Sequence, residues 1–528
     1  RFETMDIRFG TRATASIGVN GKVNDVSIRP QYAEWELAKG SRAEQRNAIY
    51  LSIHSNGSGG SGTESYIHSF KPVYGSKLLQ QAVHGELIKD LRSGWNRSWI
   101  NRGQKAADFG ELRGLQTMPG LLVELGFHDH PQDAEALTTP DFRDLSARAI
   151  YKGIVRYYAK KQGKQPVFLP EPPTAVVARN DGKGKVTLRW NEGAYGGIHG
   201  SRAQKFKVYI SHHGRAFADY EVTTNNIFTF RNLQKNTSYY FRVSAVNEGG
   251  ESFPSATVAV RTPDPKTDAV QYLIVDGYDR LERAQAHVVY EARPRFRPLG
   301  KVRRLPLEQM NDYSYATEHA EALAQAGIWF DGTDNEALLE QKISLQDYDG
   351  VDWFTGRESV NHETLSARER ALLTMYLQKG GRLIISGSEL GYHLAKRGKG
   401  KVFYEKYLKA AYRGDNAAAS QFIGRNRSNF RGLNGHFRST SSTAYPVNSP
   451  DYMEPINGGE ALMKYSTGKT AAIGYQGKYG LLHFAFPLEM IADERLRNEM
   501  FLRSLEYLHP PKIKQRDKKR RNDLADGR

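Results

Sequence analysis

Pro119-Gly120-Leu121-Leu122-Val123-Glu124-Leu125-Gly126-Phe127 is an apolar run that carries one carboxylate near its end. Its shortness and its Gly and Pro boundaries predict a buried strand. Working outward, Leu51-Ser52-Ile53-His54-Ser55-Asn56 is a second strand-like run, and it delivers an imidazole. A histidine and a glutamate at strand ends are parts from which a metal-assisted hydrolase can be built. Each taken alone has a plainer reading. A single His after an apolar run is more often structural, and a single Glu at a strand end is usually solvated or ion-paired.

The two runs stand in order with Gly62-Thr63-Glu64-Ser65-Tyr66, and Thr117-Met118-Pro119 leads into the Glu124 strand. Pro131 to Leu137 and Ile150 to Ile154 then read as a closing loop and a final helix. Together these segments, within about Asp6 to Tyr158, resemble the zinc-dependent N-acetylmuramoyl-L-alanine amidases. The resemblance implies an α/β domain over 1–162 that cleaves the amide between N-acetylmuramic acid and L-alanine of peptidoglycan. It implies that His54 is a zinc ligand and Glu124 the catalytic carboxylate beside the metal-bound water. The chemistry suits those residue types. Zinc brings the pKa of bound water toward neutrality and polarises the carbonyl, and a carboxylate within reach can carry a proton to the leaving amine.

The same resemblance implies two more zinc ligands, a His in a Gly-His-Gly segment and a Glu on the following helix. Both would precede a strand ending in Thr-Arg, which here is Met5–Arg12. No Gly-His-Gly stands there, and Glu3 is too near the strand to lie on that helix. The expectation is a sequence incomplete at its N terminus, with both ligands and a signal peptide upstream of Arg1. With His54 alone, the chain should hold zinc weakly and be inactive, because catalytic zinc sites use three protein ligands. His128 and His130, in His-Asp-His spacing, read first as exposed loop residues, with lining the cleft or weak metal binding as the alternative, and His68 and His84 read as surface or packing residues. Gly57 to Gly62 has no following Lys-Ser/Thr, so it is a flexible connection rather than a phosphate loop.

At 528 residues the chain is too long for one core. With no cysteine there is no disulfide, thiol nucleophile or thiolate metal site. The net charge of +17 points to an anionic partner. No nucleic-acid motif accompanies it, so no nucleic acid is expected and the cell wall is the better partner. A basic tail over 511–528, including Lys518-Lys519-Arg520-Arg521, reads as a solvated extension able to touch anionic wall or membrane surfaces. An exported protein of the periplasm, envelope or extracellular space is expected.

Alternating runs at Val186–Trp190, Phe206–Ile210 and Thr237–Val243 predict an all-β immunoglobulin-like sandwich. With Trp190, Leu233, Tyr239 and the Asn247-to-Ser252 turn, residues 172–263 resemble a fibronectin type III domain. Trp190 is read as core, and the domain as a spacer or adhesion module without chemistry. Beyond Pro263-Asp264-Pro265, strands at Tyr272–Gly277, Gly350–Gly356 and Gly380–Gly387 surround a helix over Leu365–Gln378. Such alternation predicts a parallel sheet covered by helices. Residues 268–508 resemble a flavodoxin-like, class I glutamine-amidotransferase-like domain. That family has Cys at the centre of the elbow Gly387-Ser388-Glu389-Leu390-Gly391, where this chain has Glu389. It also lacks the family's later His-Pro-Glu; Phe486-Pro487-Leu488-Glu489 stands near its place. The domain is therefore expected to be inert. The rival reading of the whole chain is a non-catalytic cell-wall binding or scaffold protein with a degenerate amidase domain.

Overall fold

The computed structural model describes residues 25–264, 270–281, 287–291, 300–304, 310–358, 363–438 and 444–509. The expected strand Met5–Arg12, Glu3 and the basic tail lie outside them. The chain divides into two units, residues up to Leu169 with Tyr195–Ser201, and the remainder.

The first unit begins with helices α1 (Asp25–Leu37) and α2 (Arg42–Asn47). A capping box starts α2: Ser41 Oγ accepts from the Glu44 amide, and Glu44 accepts from the Ser41 amide. Strands β1 (Tyr50–Asn56) and β2 (Thr63–His68) follow, then α3 (Ser76–Gly94), β3 (Asn101–Ala107), the short α4 (Gly110–Arg113), β4 (Gly120–Phe127), α5 (Pro131–Leu137) and α6 (Pro140–Gln162). The sheet order is β1-β4-β2-β3. β4 pairs parallel with β1 and antiparallel with β2, so the most apolar run takes the interior position.

Side-chain alternation divides the two faces of β4. Leu121 and Val123 join Leu79, Val83, Leu87 and Leu91 of α3 and Phe142, Leu145 and Ala149 of α6 in one core. The four α3 residues recur every fourth position and so form one buried stripe. On the other face Leu122 packs with Leu112, Leu115 and Met118, flanked by Ala33 and Leu37 of α1. Glu124, two residues past Leu122, shares that second face.

In the second unit Trp190 is 2% exposed and packs against Phe206, as expected of a core residue. The sandwich is not a free spacer. Its strands Val258–Arg261 and Thr174–Asn180 both pair antiparallel with Trp329–Asp334 of the α/β part. Asp331 accepts from the Asn180 amide at 2.8 Å, and Tyr348 donates to its other oxygen at 2.7 Å. A sheet edge left open would be a template for unwanted pairing, and here the sandwich covers it.

The α/β part carries five mutually parallel strands: β5 (Gln271–Asp276), β6 (Trp329–Asp334), β7 (Gly350–Phe354), β8 (Arg382–Ser386) and β9 (Gly480–Phe484). They run in the order β6-β5-β7-β8-β9. Three of the five match the strands expected from sequence, and the helix expected over 365–378 spans Ala367–Gln378. β6 and β9 were not anticipated, nor were the antiparallel strands Ala410–Gly414, Tyr452–Pro455, Glu460–Tyr465 and Thr470–Gln476 between β8 and β9.

Candidate active site

Strand pairing brings the chemistry of the first unit into one row. His54 of β1 is the register partner of Glu124 of β4, and Glu124 in turn is the partner of Glu64 of β2. Adjacent strands are about 4.8 Å apart, so three functional side chains stand side by side on the face shared with Leu122. α4 adds a fourth group. Glu111 is 8% exposed, and its Oε1 lies 3.8 Å from His54 Nε2. Ser52 Oγ stands 2.8 Å from the same nitrogen.

Glu64 and Glu124 differ sharply. Burial by itself would raise Glu64, but hydrogen bonds from Lys105, Arg102 and Tyr66 outweigh it and hold Glu64 down at about 2. Lys105 Nζ and Arg102 Nε donate to Oε2 at 2.5 and 2.8 Å. Tyr66 OH and Asn56 Nδ2 donate to Oε1 at 2.7 and 2.5 Å. Glu124 has no such support. Burial, then the charges of Glu64 and Glu111, push it up to about 7, and its Oε2 is buried without a hydrogen-bond partner. A carboxylate with a pKa near neutrality and a free oxygen is suited to accept a proton and give it back.

Beside the row, the glycine-rich connection 57–62 is tied down rather than loose. Asp129 Oδ2 accepts from the Ser58 and Gly59 amides at 2.7 and 2.9 Å. Asp133 accepts from Ser61 Oγ and from the Gly62 and Phe127 amides at 2.8, 2.8 and 2.9 Å. Gly62 has φ of 96°, and a Cβ there would stand 2.3 Å from the Ile100 carbonyl oxygen, so no other residue fits.

The remaining histidines do not enter the row. His128 is exposed and reaches Ser55 Oγ at 3.2 Å, while His130 faces Asp133 at 3.3 Å. His84 is buried against Asn101, and His68 pairs with Asp108. Among the described residues, no third imidazole or carboxylate completes a compact set around His54. Glu111 and the cations on Glu64 were missed from sequence. Glu111 did carry one signal, a charge next to Leu112 in the segment that leads into Thr117-Met118-Pro119.

For an implied zinc ion, the donor chemistry fits in part. Donors about 2.0–2.2 Å from one ion can be separated by up to about 4.2 Å, and the 3.8 Å between His54 Nε2 and Glu111 Oε1 lies within that span. Glu124, with its free oxygen, stands next to His54 in the row.

Two stretches of the chain resemble known families. Residues 24–156 match the N-acetylmuramoyl-L-alanine amidase family, and residues 171–261 match the fibronectin type III domain. The chain is similar to an uncharacterized cell wall amidase of Bacillus anthracis, 35% identical over 134 residues, which are 24% of this chain and 23% of that protein. It is also similar to the sporulation-specific N-acetylmuramoyl-L-alanine amidase of Bacillus subtilis, 36% identical over 116 residues, 22% of this chain and 42% of that one. It thus spans less than half the length of either relative. A solved N-acetylmuramoyl-L-alanine amidase from Clostridium difficile 630 aligns with 26% of this chain and 67% of its own, at 23% identity and a TM-score of 0.22.

Proposed function

We propose that this protein hydrolyses the amide between N-acetylmuramic acid and L-alanine in peptidoglycan, with Glu124 as general base and then general acid. The observation that carries the reading is the row His54–Glu124–Glu64, in which Glu124 has a pKa near 7 and an unpartnered oxygen. The family match over residues 24–156 supports it.

His54, with Glu111 as the nearest second donor, would hold zinc. When bound, zinc would polarise the amide carbonyl and acidify the attacking water. Glu124 takes the water proton on its free oxygen and returns it to the departing L-alanine nitrogen. Glu64, fully engaged by Lys105, Arg102, Tyr66 and Asn56, stays ionised and keeps Glu124 basic enough to accept that proton. Asp129 and Asp133 hold the 57–62 connection against the end of β4 and so fix one wall beside the row.

Residues 268–508 serve in this reading as an inert glutamine-amidotransferase-like, flavodoxin-like domain. The parallel order β6-β5-β7-β8-β9 supports that likeness. Glu389 at the elbow centre supports inertness, since a carboxylate is a poor substitute for a thiolate. Ser388 is 2% exposed and its hydroxyl donates to the Gly356 carbonyl, so it offers no free nucleophile. Glu489, near the place of the family's His-Pro-Glu, is bonded to His319 and Tyr445 in the core. Among the described residues, no helix is long and apolar enough to cross a membrane. Export to the envelope is the location that a peptidoglycan substrate requires.

The test is digestion of purified peptidoglycan by the zinc-loaded protein. Release of stem peptides with free L-alanine amino groups is expected. No release by wild type shown to hold one zinc per chain would overturn the reading, and undiminished release by Glu124→Gln would remove Glu124 from its role.

A further inference from the structure

The elbow after β8 has no role in the amidase chemistry, yet its Glu389 belongs to a group of three carboxylates drawn together from separate segments. One carboxylate oxygen from each of Glu389, Asp415 and Asp451 lies within 4.8 Å of the others. Two oxygens bound to one calcium ion, each at about 2.4 Å, can be at most about 4.8 Å apart. Each pair in the trio lies within that limit, and a small movement would bring all three oxygens onto one ion. Its members come from three separate segments: the elbow, the residue after strand Ala410–Gly414, and the residue before strand Tyr452–Pro455. They converge at the carboxyl end of a parallel strand, where open α/β sheets bind ligands.

Asp451 is held in place by its surroundings and is only 1% exposed. Its amide donates to the Ser388 carbonyl at 3.0 Å, and Tyr465 OH donates to its carbonyl at 3.0 Å. Its Oδ2 accepts from the Tyr392 amide at 2.9 Å. Gly391 allows this approach, because a Cβ there would stand 2.7 Å from Tyr404 Oη and 3.0 Å from Asp451 Oδ2. A second observation is separate from the clustering. Asp451 Oδ1 is buried and has no hydrogen-bond partner. Such an oxygen is costly to leave unsatisfied, and next to two further carboxylates the partner that suits it is a cation. Burial raises Glu389, Asp415 and Asp451 alike, and mutual repulsion adds to the rise of Glu389 and Asp451, offset in part at Glu389 by the charge of Arg357. Asp415 is exposed and provides a route from solvent.

We propose that Glu389, Asp415 and Asp451 form a binding site for a calcium ion. An all-oxygen, carboxylate donor set selects a hard cation over zinc. The site stands apart from the amidase reading and would survive its failure.

Isothermal titration of chelator-treated full-length chain with calcium chloride tests it. The wild type should bind one ion at this site. Asp415→Asn, a change at an exposed residue, should bind it at least about tenfold more weakly, and Glu389→Gln should lose it. Calcium should also raise the thermal unfolding temperature of the wild type and leave that of Glu389→Gln unchanged. No calcium binding at millimolar concentration, or equal affinity in wild type and Asp415→Asn, would overturn the proposal. If Glu389→Gln failed to fold, by circular dichroism, the Asp415→Asn comparison would still decide.

Discussion

Two carboxylates in this protein stand near the carboxyl end of a parallel strand, and burial raises both: Glu124 of β4 and Glu389 after β8. Their neighbours separate them. Glu124 has an imidazole on one side and, on the other, a Glu64 whose charge is already matched by Lys105 and Arg102. Glu389 has two more carboxylates and no imidazole in its cluster. In the proposed roles the first arrangement passes one proton back and forth, and the second, with Arg357 offsetting part of its charge, gathers carboxylates for a cation. A raised carboxylate pKa thus marks a site without naming its chemistry, and the adjoining residues decide between base and cation trap.

The largest effect should come from exchanging the two acids for amides. Glu124→Gln should slow stem-peptide release by about 100-fold or more, the range for loss of an acid/base group, while Glu389→Gln leaves release unchanged. An equal loss in both, measured on the same peptidoglycan, would break the contrast. Next in size is Glu111→Gln. As the donor nearest His54, Glu111 should support metal holding, and its loss should weaken zinc affinity by about 10-fold or more. Competition against a chromophoric chelator would read it, and unchanged affinity would place Glu111 outside the metal's reach.

The smallest effect concerns why Glu64 does not behave like Glu124. Lys105→Met should cost about 1 kcal/mol of stability at pH 7, a modest value because the lysine is partly exposed. Because Glu64 is held down at about 2, its contribution is present above its ordinary value of 4.5 and lost as pH falls toward 2. The gap between wild type and Lys105→Met in thermal unfolding should therefore be full at pH 7 and shrink toward pH 2. A gap that is constant with pH would mean that packing, and not charge, is what Lys105 contributes.

Much of the first unit was legible from local pattern. The β4 run is apolar on both faces, as its interior position requires, and the two strand-end residues lie side by side because β1 and β4 pair in register. The glycine-rich connection misled in one respect. Composition predicts freedom there, yet Asp129 and Asp133, some seventy positions later, bind its amides. The fibronectin-like strands and Trp190 were also readable, because alternation reports burial directly. That the sandwich caps the edge of the parallel sheet was not, since edge pairing depends on backbone groups that every residue carries.

By itself the sequence determined the β1 and β4 runs, the main fibronectin-like strands, three of the five parallel strands with one helix, and where the likeness to amidases lies. Those properties rest on short-range periodicity and residue type. Only the tertiary structure decided that Glu111 approaches His54, that Lys105 and Arg102 neutralise Glu64, and that Asp415 and Asp451 converge on Glu389. The physical reason is that pKa values and donor sets are fixed by distance and burial among side chains far apart in the chain, and no local pattern encodes either.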